Sequence, residues 1–204
     1  MGRDVITALA TMSETSFQIQ SCEGVTVVRL GSEDGTNRLT RVSIASLSKL
    51  LCGLRGVGGG IIIAGNNRFF SAGADLEEIA ALSGPAAYEF ARLGQHLMAT
   101  IAGFPAPVYA AITGYCMGGG LDLALACRRR IAAPHAIFGH RGAALGLITG
   151  WGGTQRLPRL IGKGQALAMF VAAEKIDASH ALRLGLIDAI ARDPVAEATR
   201  QLQR

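Results

Sequence analysis

Two short stretches carry the residues best placed to do chemistry, and each sits where a strand gives way to a helix. In the first, Asp75 stands at an N-cap position with Glu78 three residues on, a pattern that predicts a capping box and a helix beginning near Leu76. Gly73 and Ala74 then lie at the mouth of that helix, where backbone N–H groups lack intrahelical partners. In the second, Gly118-Gly119-Gly120 opens a helix that carries Asp122. Three glycines let a ligand come up against the backbone, and the positive end of the helix dipole favours negative charge there. Two such N–H donors facing one another would form an oxyanion hole. Asp122 itself is a carboxylate in a first helical turn, a place the dipole favours on structural grounds as well.

Further along, His140 and Arg141 precede Gly142. An imidazole titrates near neutrality and suits general acid or base work, whereas a loop histidine is also a common structural residue. Arg141 could anchor a carboxylate or phosphate, or simply pair on the surface. Trp151, in Gly150-Trp151-Gly152-Gly153, reads either as core or as the wall of a pocket. Other chemistries lack their residues. The chain has no GxSxG elbow, no GxxxxGK[ST] loop, no HExxH and no EF-hand run. Cys22, Cys52, Cys116 and Cys127 form no CxxC pair and no zinc-spaced cluster with histidine, so no metal is expected. The same four are expected to be buried, reduced thiols of a cytoplasmic protein.

The elements that must position these residues follow from hydrophobic period. Phe17 to Gln20 and Val25 to Leu30 read as a hairpin, Ile44 to Leu54 as a helix, and Ile61 to Ala64 as a buried strand. The glycine run from Gly56 to Gly60 precedes a strand and follows a helix, the reverse of a dinucleotide fingerprint, so it reads as a turn. Helices are predicted from Leu76 to Leu82 and from Pro85 to Ala102, then a strand Val108 to Ile112 and a helix Leu121 to Cys127. Strands follow at Arg130 to Ala133 and Ala136 to Gly139, with a glycine-broken loop from Gly142 to Gly153. Helices at Gln155 to Leu160, Gly164 to Ala172 and Ala178 to Leu184, a strand Leu186 to Ile190 and a tail helix from Pro194 complete the chain. Recurring strand-turn-helix units with no linker make this one α/β domain.

Composition agrees. With 204 residues, 50% hydrophobic and 17% charged, and a mean hydropathy of +0.33, the chain can bury a real core and is not disordered in bulk. Apolar runs such as Ile61 to Ala64 stop far short of the about 20 residues a membrane span needs. The net charge of +5 and pI near 9.4 suit a small phosphate-bearing ligand. A nucleic-acid partner is not expected, because aromatics are 5% of the chain and are not interleaved with bases. The run Arg128-Arg129-Arg130 reads as a solvated face. Residues 1–15 lack a secretory pattern and read as a flexible leader.

Four blocks, in this order and spacing, resemble the enoyl-CoA hydratase/isomerase (crotonase) family: Phe70-Ser71-Ala72-Gly73-Ala74-Asp75-Leu76, Pro107 through Gly120, Phe138-Gly139, and Gly150 through Leu157. The likeness extends from about Phe17 to Ile190. It implies a spiral of ββα units, an acyl-CoA thioester as substrate, no cofactor beyond the coenzyme A of that substrate, and a homotrimer or hexamer. It also implies that the N–H groups of Ala74 and Gly119 hold the thioester oxygen. Ala72, Gly73, Asp75, Leu76, Gly118, Gly142 and Trp151 would surround the bound thioester.

The acid/base positions depart from the pattern. Where a hydratase of the family carries two glutamates, this chain has Asp122 and Gly142. Asp122 is shorter by one methylene and, as in dienoyl-CoA isomerases, can still act as a base. Gly142 removes the second carboxylate, which leaves His140 to compensate or leaves room for an anion or substrate group. The expected function is therefore an acyl-CoA enzyme of the hydratase or isomerase type, with Ala74, Gly119, Asp122 and His140 catalytic. The alternatives are a decarboxylase or C–C hydrolase on the same fold, or a non-catalytic acyl-CoA-binding or scaffold protein. Relative to the family the core runs over 16–192, and 193–204 reads as a truncated C-terminal helix in a short form of the fold.

Overall fold

Residues 17–22 and 24–204 are described by a computed structural model. The leader expected over 1–15 and Glu23 of the expected hairpin turn lie outside the described residues. Alternating apolar residues form the predicted antiparallel hairpin of β1 (Phe17–Cys22) and β2 (Val25–Leu30), in register from Phe17↔Leu30 to Cys22↔Val25. A two-residue strand β3 (Arg38–Leu39) leads to helix α1 (Arg41–Gly53). This helix starts three residues before the apolar spacing suggests. Its first turn is carried by a Thr40–Ser43 capping box rather than by buried side chains, which begin only at Ile44 and continue through Leu47, Leu50 and Leu51.

Beyond α1 and the glycine turn, the chain repeats one unit. Each pass lays a strand in a large sheet, a strand in a small sheet, and then helix. The first pass comprises β4 (Ile61–Ala64), β5 (Phe69–Ser71), β6 (Gly73–Ala74), α2 (Leu76–Ala80) and α3 (Gly84–Ala102). The second comprises β7 (Val108–Ile112), β8 (Tyr115–Met117) and α4 (Gly119–Ala126). The third comprises β9 (Arg129–Ala132), β10 (Ile137–Gly139), a 3-10 turn over Gly142–Leu145, α5 (Gly153–Ile161) and α6 (Lys163–Ala172). Last come β11 (Ile176–Asp177), α7 (Ala178–Arg183), β12 (Ala189–Ile190) and α8 (Pro194–Leu202). The expected ββα spiral is present.

The large sheet runs β1-β2-β4-β7-β9-β12, parallel throughout after the hairpin. Every residue of β4 and of β7 is buried, as parallel strands covered on both faces require. The small sheet runs β11-β10-β8-β5, and β3 pairs β6 beside it. Phe70, Leu121 and Phe138 are fully buried in the main core, where removing such a phenyl ring costs about 3–5 kcal/mol. On the opposite face of the large sheet α8 buries Ala198 in a cluster with Ile62, Tyr109 and Ile131. Among the described residues no helix is long and apolar enough to cross a membrane.

Two local expectations change. Arg130, read as part of a solvated basic run, is buried. Its guanidinium donates to the carbonyls of Leu186 and Cys127 and pairs with Asp188 at 3.0 Å, so three partners satisfy the charge inside the fold. Cys116 and Cys127 are buried thiols as predicted, whereas Cys52 is exposed on α1.

Candidate functional site

The first corner joins β5 to α2 through β6. Gly73 adopts φ +100, in the region that favours glycine, and donates its N–H to Ser71 Oγ at 3.1 Å. Ser71 in turn donates to the carbonyl of Asn37 at 2.7 Å. Asp75 caps α2, accepting from the N–H groups of Glu77 and Glu78. The Glu78 amide is the main cause that holds the Asp75 carboxyl below its ordinary value. The predicted capping box is not completed. Glu78 turns instead to α1 and accepts the Arg41 N–H at 2.9 Å, because that amide is an orphan of α1's first turn. The N–H of Asp75 points to the Leu39 carbonyl. Successive amides of an extended chain point to opposite sides, so the N–H of Ala74 faces away from β3 and toward α4.

The second corner joins β8 to α4. Helix α4 begins at Gly119, within the glycine triplet and two residues earlier than predicted. Gly118 serves as its N-cap at φ +50 and ψ −120 and supplies no side-chain cap, so the first amides of α4 are left without helix partners. The glycines are there for approach as well as for backbone angle. A Cβ on Gly73 would lie 2.7 Å from the Met117 carbonyl oxygen and 3.1 Å from the Gly119 nitrogen. A Cβ on Gly119 would stand 3.3 Å from the Ala74 nitrogen and would overlap the ring of Trp151. The two corners are therefore pressed together with the amide of Ala74 against the N-terminus of α4.

All of α4 is buried, including Asp122 at 0% exposure. Its carboxylate is held from two sides. Oδ2 accepts a short hydrogen bond from Thr149 Oγ1. Oδ1 has no hydrogen-bond partner and lies 3.4 Å from Nε2 of His140, which has none either. A Cβ on Gly153 would overlap Oδ1, so that glycine leaves the oxygen its place. Burial pushes the Asp122 carboxyl up to about 6, against the opposing pulls of the Thr149 hydroxyl, the Arg156 charge and the Trp151 and Gly153 amides. Burial also lowers His140 to about 4. Burial thus works against the charged form of both groups, raising the carboxyl and lowering the imidazole.

One cavity of about 1020 Å³ is lined by every residue expected from the sequence to be catalytic or to surround the thioester, among them Ala72, Gly73, Gly142 and Trp151. Trp151 is both core and wall. It is buried, meets Phe90 edge-on with centroids 5.3 Å apart, and rests against Gly94 of α3 and Gly119 of α4. The room expected at Gly142 is filled: a Cβ there would lie 2.6 Å from the Leu147 carbonyl oxygen, and the Leu147 N–H closes the turn onto the Gly142 carbonyl at 2.8 Å. Sequence reasoning missed Thr149, and it also missed Arg38 and Lys175 in the cavity lining.

The profile of the family described as "Enoyl-CoA hydratase/isomerase" matches residues 20–204. The chain belongs to this family. It is 48% identical over 134 residues to a "Probable enoyl-CoA hydratase" of Bacillus subtilis (strain 168), covering 65% of this chain and 52% of the relative. It is 43% identical over 130 residues to a "Crotonyl-CoA hydratase" of Syntrophomonas wolfei, covering 64% and 50%. The chain thus spans about half the length of the curated relatives it matches. The crystal structure of an enoyl-CoA hydratase from Bacillus anthracis superposes with a TM-score of 0.88 at 31% identity, over 93% of this chain and 76% of that one. That of an enoyl-CoA hydratase from Thermoplasma volcanium gives 0.88 at 29% identity, over 93% and 76%.

Proposed function

We propose that this protein is an acyl-CoA thioester enzyme of the enoyl-CoA hydratase/isomerase type, which stabilises an enolate on the N–H groups of Ala74 and Gly119. The observation that supports the reading is the close approach of Ala74 and Gly119 in the lining of a cavity that also holds a buried carboxylate, Asp122, with one oxygen unbonded. Removing a proton beside a thioester, or adding to the conjugated double bond, places negative charge on the thioester oxygen. Fixed donors meet that charge without reorganising, and the loss of one such donor costs about 3–4 kcal/mol of barrier.

The proton carriers are Asp122 and His140. At neutral pH the carboxylate is free to accept a proton, and burial makes it a stronger base than an exposed aspartate. The imidazole beside it is neutral and able to pass a proton on. The apolar wall of Leu76, Ile79, Leu147 and Ile148 suits an acyl chain, and Arg38, Arg141 and Lys175 offer cations for the phosphates of coenzyme A. Coenzyme A enters only as part of the substrate, with no other cofactor. A trimer or hexamer in the cytoplasm is the proposed setting, as the family resemblance implies.

The filled space at Gly142 favours a second reading, a protein that binds acyl-CoA without turning it over. Incubation with crotonyl-CoA separates the two. Loss of the conjugated enoyl absorbance, diminished in Asp122→Ala and in His140→Ala, is the expected result. Retained binding without turnover across enoyl-, dienoyl- and malonyl-type thioesters would leave the binding role.

A further inference from the structure

Asp122 can meet its surroundings through two oxygens, and the site treats them differently. Oδ2 is taken by the hydroxyl of Thr149, which reaches it from the loop before α5, 27 residues away in sequence. Oδ1 is left beside His140 Nε2, in the space that the missing Cβ of Gly153 keeps clear. Neither Oδ1 nor Nε2 has a hydrogen bond, although both are buried. Orphaned polar atoms inside a protein are costly, and two of them pointed at one another across 3.4 Å mark a place kept for a proton or for a group that brings one.

We infer that Thr149 is a positioning residue that assigns the proton traffic of Asp122 to Oδ1, opposite His140, by occupying Oδ2. The inference rests on the function proposed above for its kinetic consequence, but the assignment itself is a property of the unliganded protein. A hydroxyl is suited to the task. It donates a single hydrogen bond, so it can hold one carboxylate oxygen and, with no charge of its own, does not compete with substrate for the other. An apolar side chain of the same shape would take the donor from Oδ2, while the charge of Arg156, the amides of Trp151 and Gly153 and the imidazole of His140 would still face the carboxyl.

The hold also has a sign. A donor to a carboxylate stabilises its ionised form, so removing it raises the pH at which Asp122 ionises. The test compares Thr149→Val with Thr149→Ser. In the unliganded protein, the carboxyl carbon of Asp122, labelled with carbon-13 and assigned with Asp122→Asn, is titrated by NMR. The expected result is an ionisation about one to two pH units higher in Thr149→Val, and one restored to the wild-type value in Thr149→Ser. An unchanged titration in Thr149→Val overturns the inference whatever the enzyme does. On a thioester that the wild type turns over, the acidic limb of the kcat profile should move by the same amount, with KM within about twofold. A fall in kcat with no movement of that limb would also overturn it, because that is what a merely structural threonine produces. If instead the titration shifts and no thioester is turned over by the wild type, the proposed function fails and the assignment of the two oxygens stands.

Discussion

The two walls of the cavity are built in opposite ways. One wall is the pair of corners at Ala74 and Gly119, where Phe70, Ser71, Gly120 and the whole of α4 are buried and the two backbones approach closely. The other is the loop from 141 to 150, where Ile148 is 75% and Leu145 56% exposed while both line the cavity. Backbone donors have to stand at fixed separation to act on a developing charge, so the first wall is close-packed and built with glycine. The second, in the proposed function, would touch what varies in a ligand, and it is built largely of exposed aliphatic residues. Asp122 belongs to the first wall by chain position and is held by Thr149 of the second, so the proposed reaction would depend on both.

The sharpest way to break this contrast is Asp122→Asn. Turnover should fall by about 10²- to 10⁴-fold, the usual worth of a positioned acid or base. Stability should move the other way. Asp122 ionises at about 6 in the folded protein against an ordinary 3.8. Its contribution to stability is therefore full below pH 3.8, shrinks as pH rises, and is gone above about 6. At pH 7 the neutral amide should consequently make the fold more stable, by on the order of 2–3 kcal/mol. His140 has the opposite slope, since its value drops from 6.5 to about 4 on folding. Its contribution is present above 6.5 and is lost as pH falls toward 4. In the wild type the two slopes oppose one another between about pH 4 and 6. In Asp122→Asn the histidine acts alone, so urea melts should show stability declining more steeply below pH 6.5 than in the wild type. A variant less stable than wild type at pH 7 would mean that the carboxylate is not held at a cost.

Gly120→Ala probes the close-packed wall without touching a titrating group. The added methyl would lie 2.7 Å from both Cβ and the carbonyl oxygen of Ser71, where a backbone must shift to admit it. A loss of about 1–3 kcal/mol is expected in chemical denaturation, the usual cost of overpacking. A neutral result would show that the two corners can slide apart, and the fixed spacing of Ala74 and Gly119 would go with it.

What was legible in the sequence follows the same division. The glycine triplet, Asp75 at its N-cap and Val108 to Ile112 are local signals, and the structure uses them as local reasoning predicts. The short strands β5, β6 and β8 have two or three residues each, too few for a period to show, and they exist because partners from other passes of the spiral lie beside them. Glu78 was misread for the same reason: its partner, Arg41, is brought by another helix. Arg130 looked solvated because its acceptors lie at Cys127, Leu186 and Asp188, and only the fold gathers them. At the site, Ala74 and Gly119 are proposed from a resemblance that rests on local blocks, and the fold brings them together. Thr149 carries no such signal, since nothing in a threonine between Ile148 and Gly150 points to an aspartate 27 residues earlier.

The exposed wall supplies the mildest test. Ile148→Ser removes a side chain that is three-quarters exposed, so stability should stay within about 0.5 kcal/mol of wild type. Binding should separate by acyl length. A long acyl chain laid against the loop buries this side chain, and losing that contact should weaken a long-chain thioester about tenfold, corresponding to roughly 1.5 kcal/mol. A two-carbon thioester does not reach it and should bind as before. Calorimetric titration of both ligands measures the split. Equal weakening of the two would place Ile148 near the reacting carbon rather than along the chain, and the loop would then share the exacting geometry of the glycine corners instead of contrasting with it.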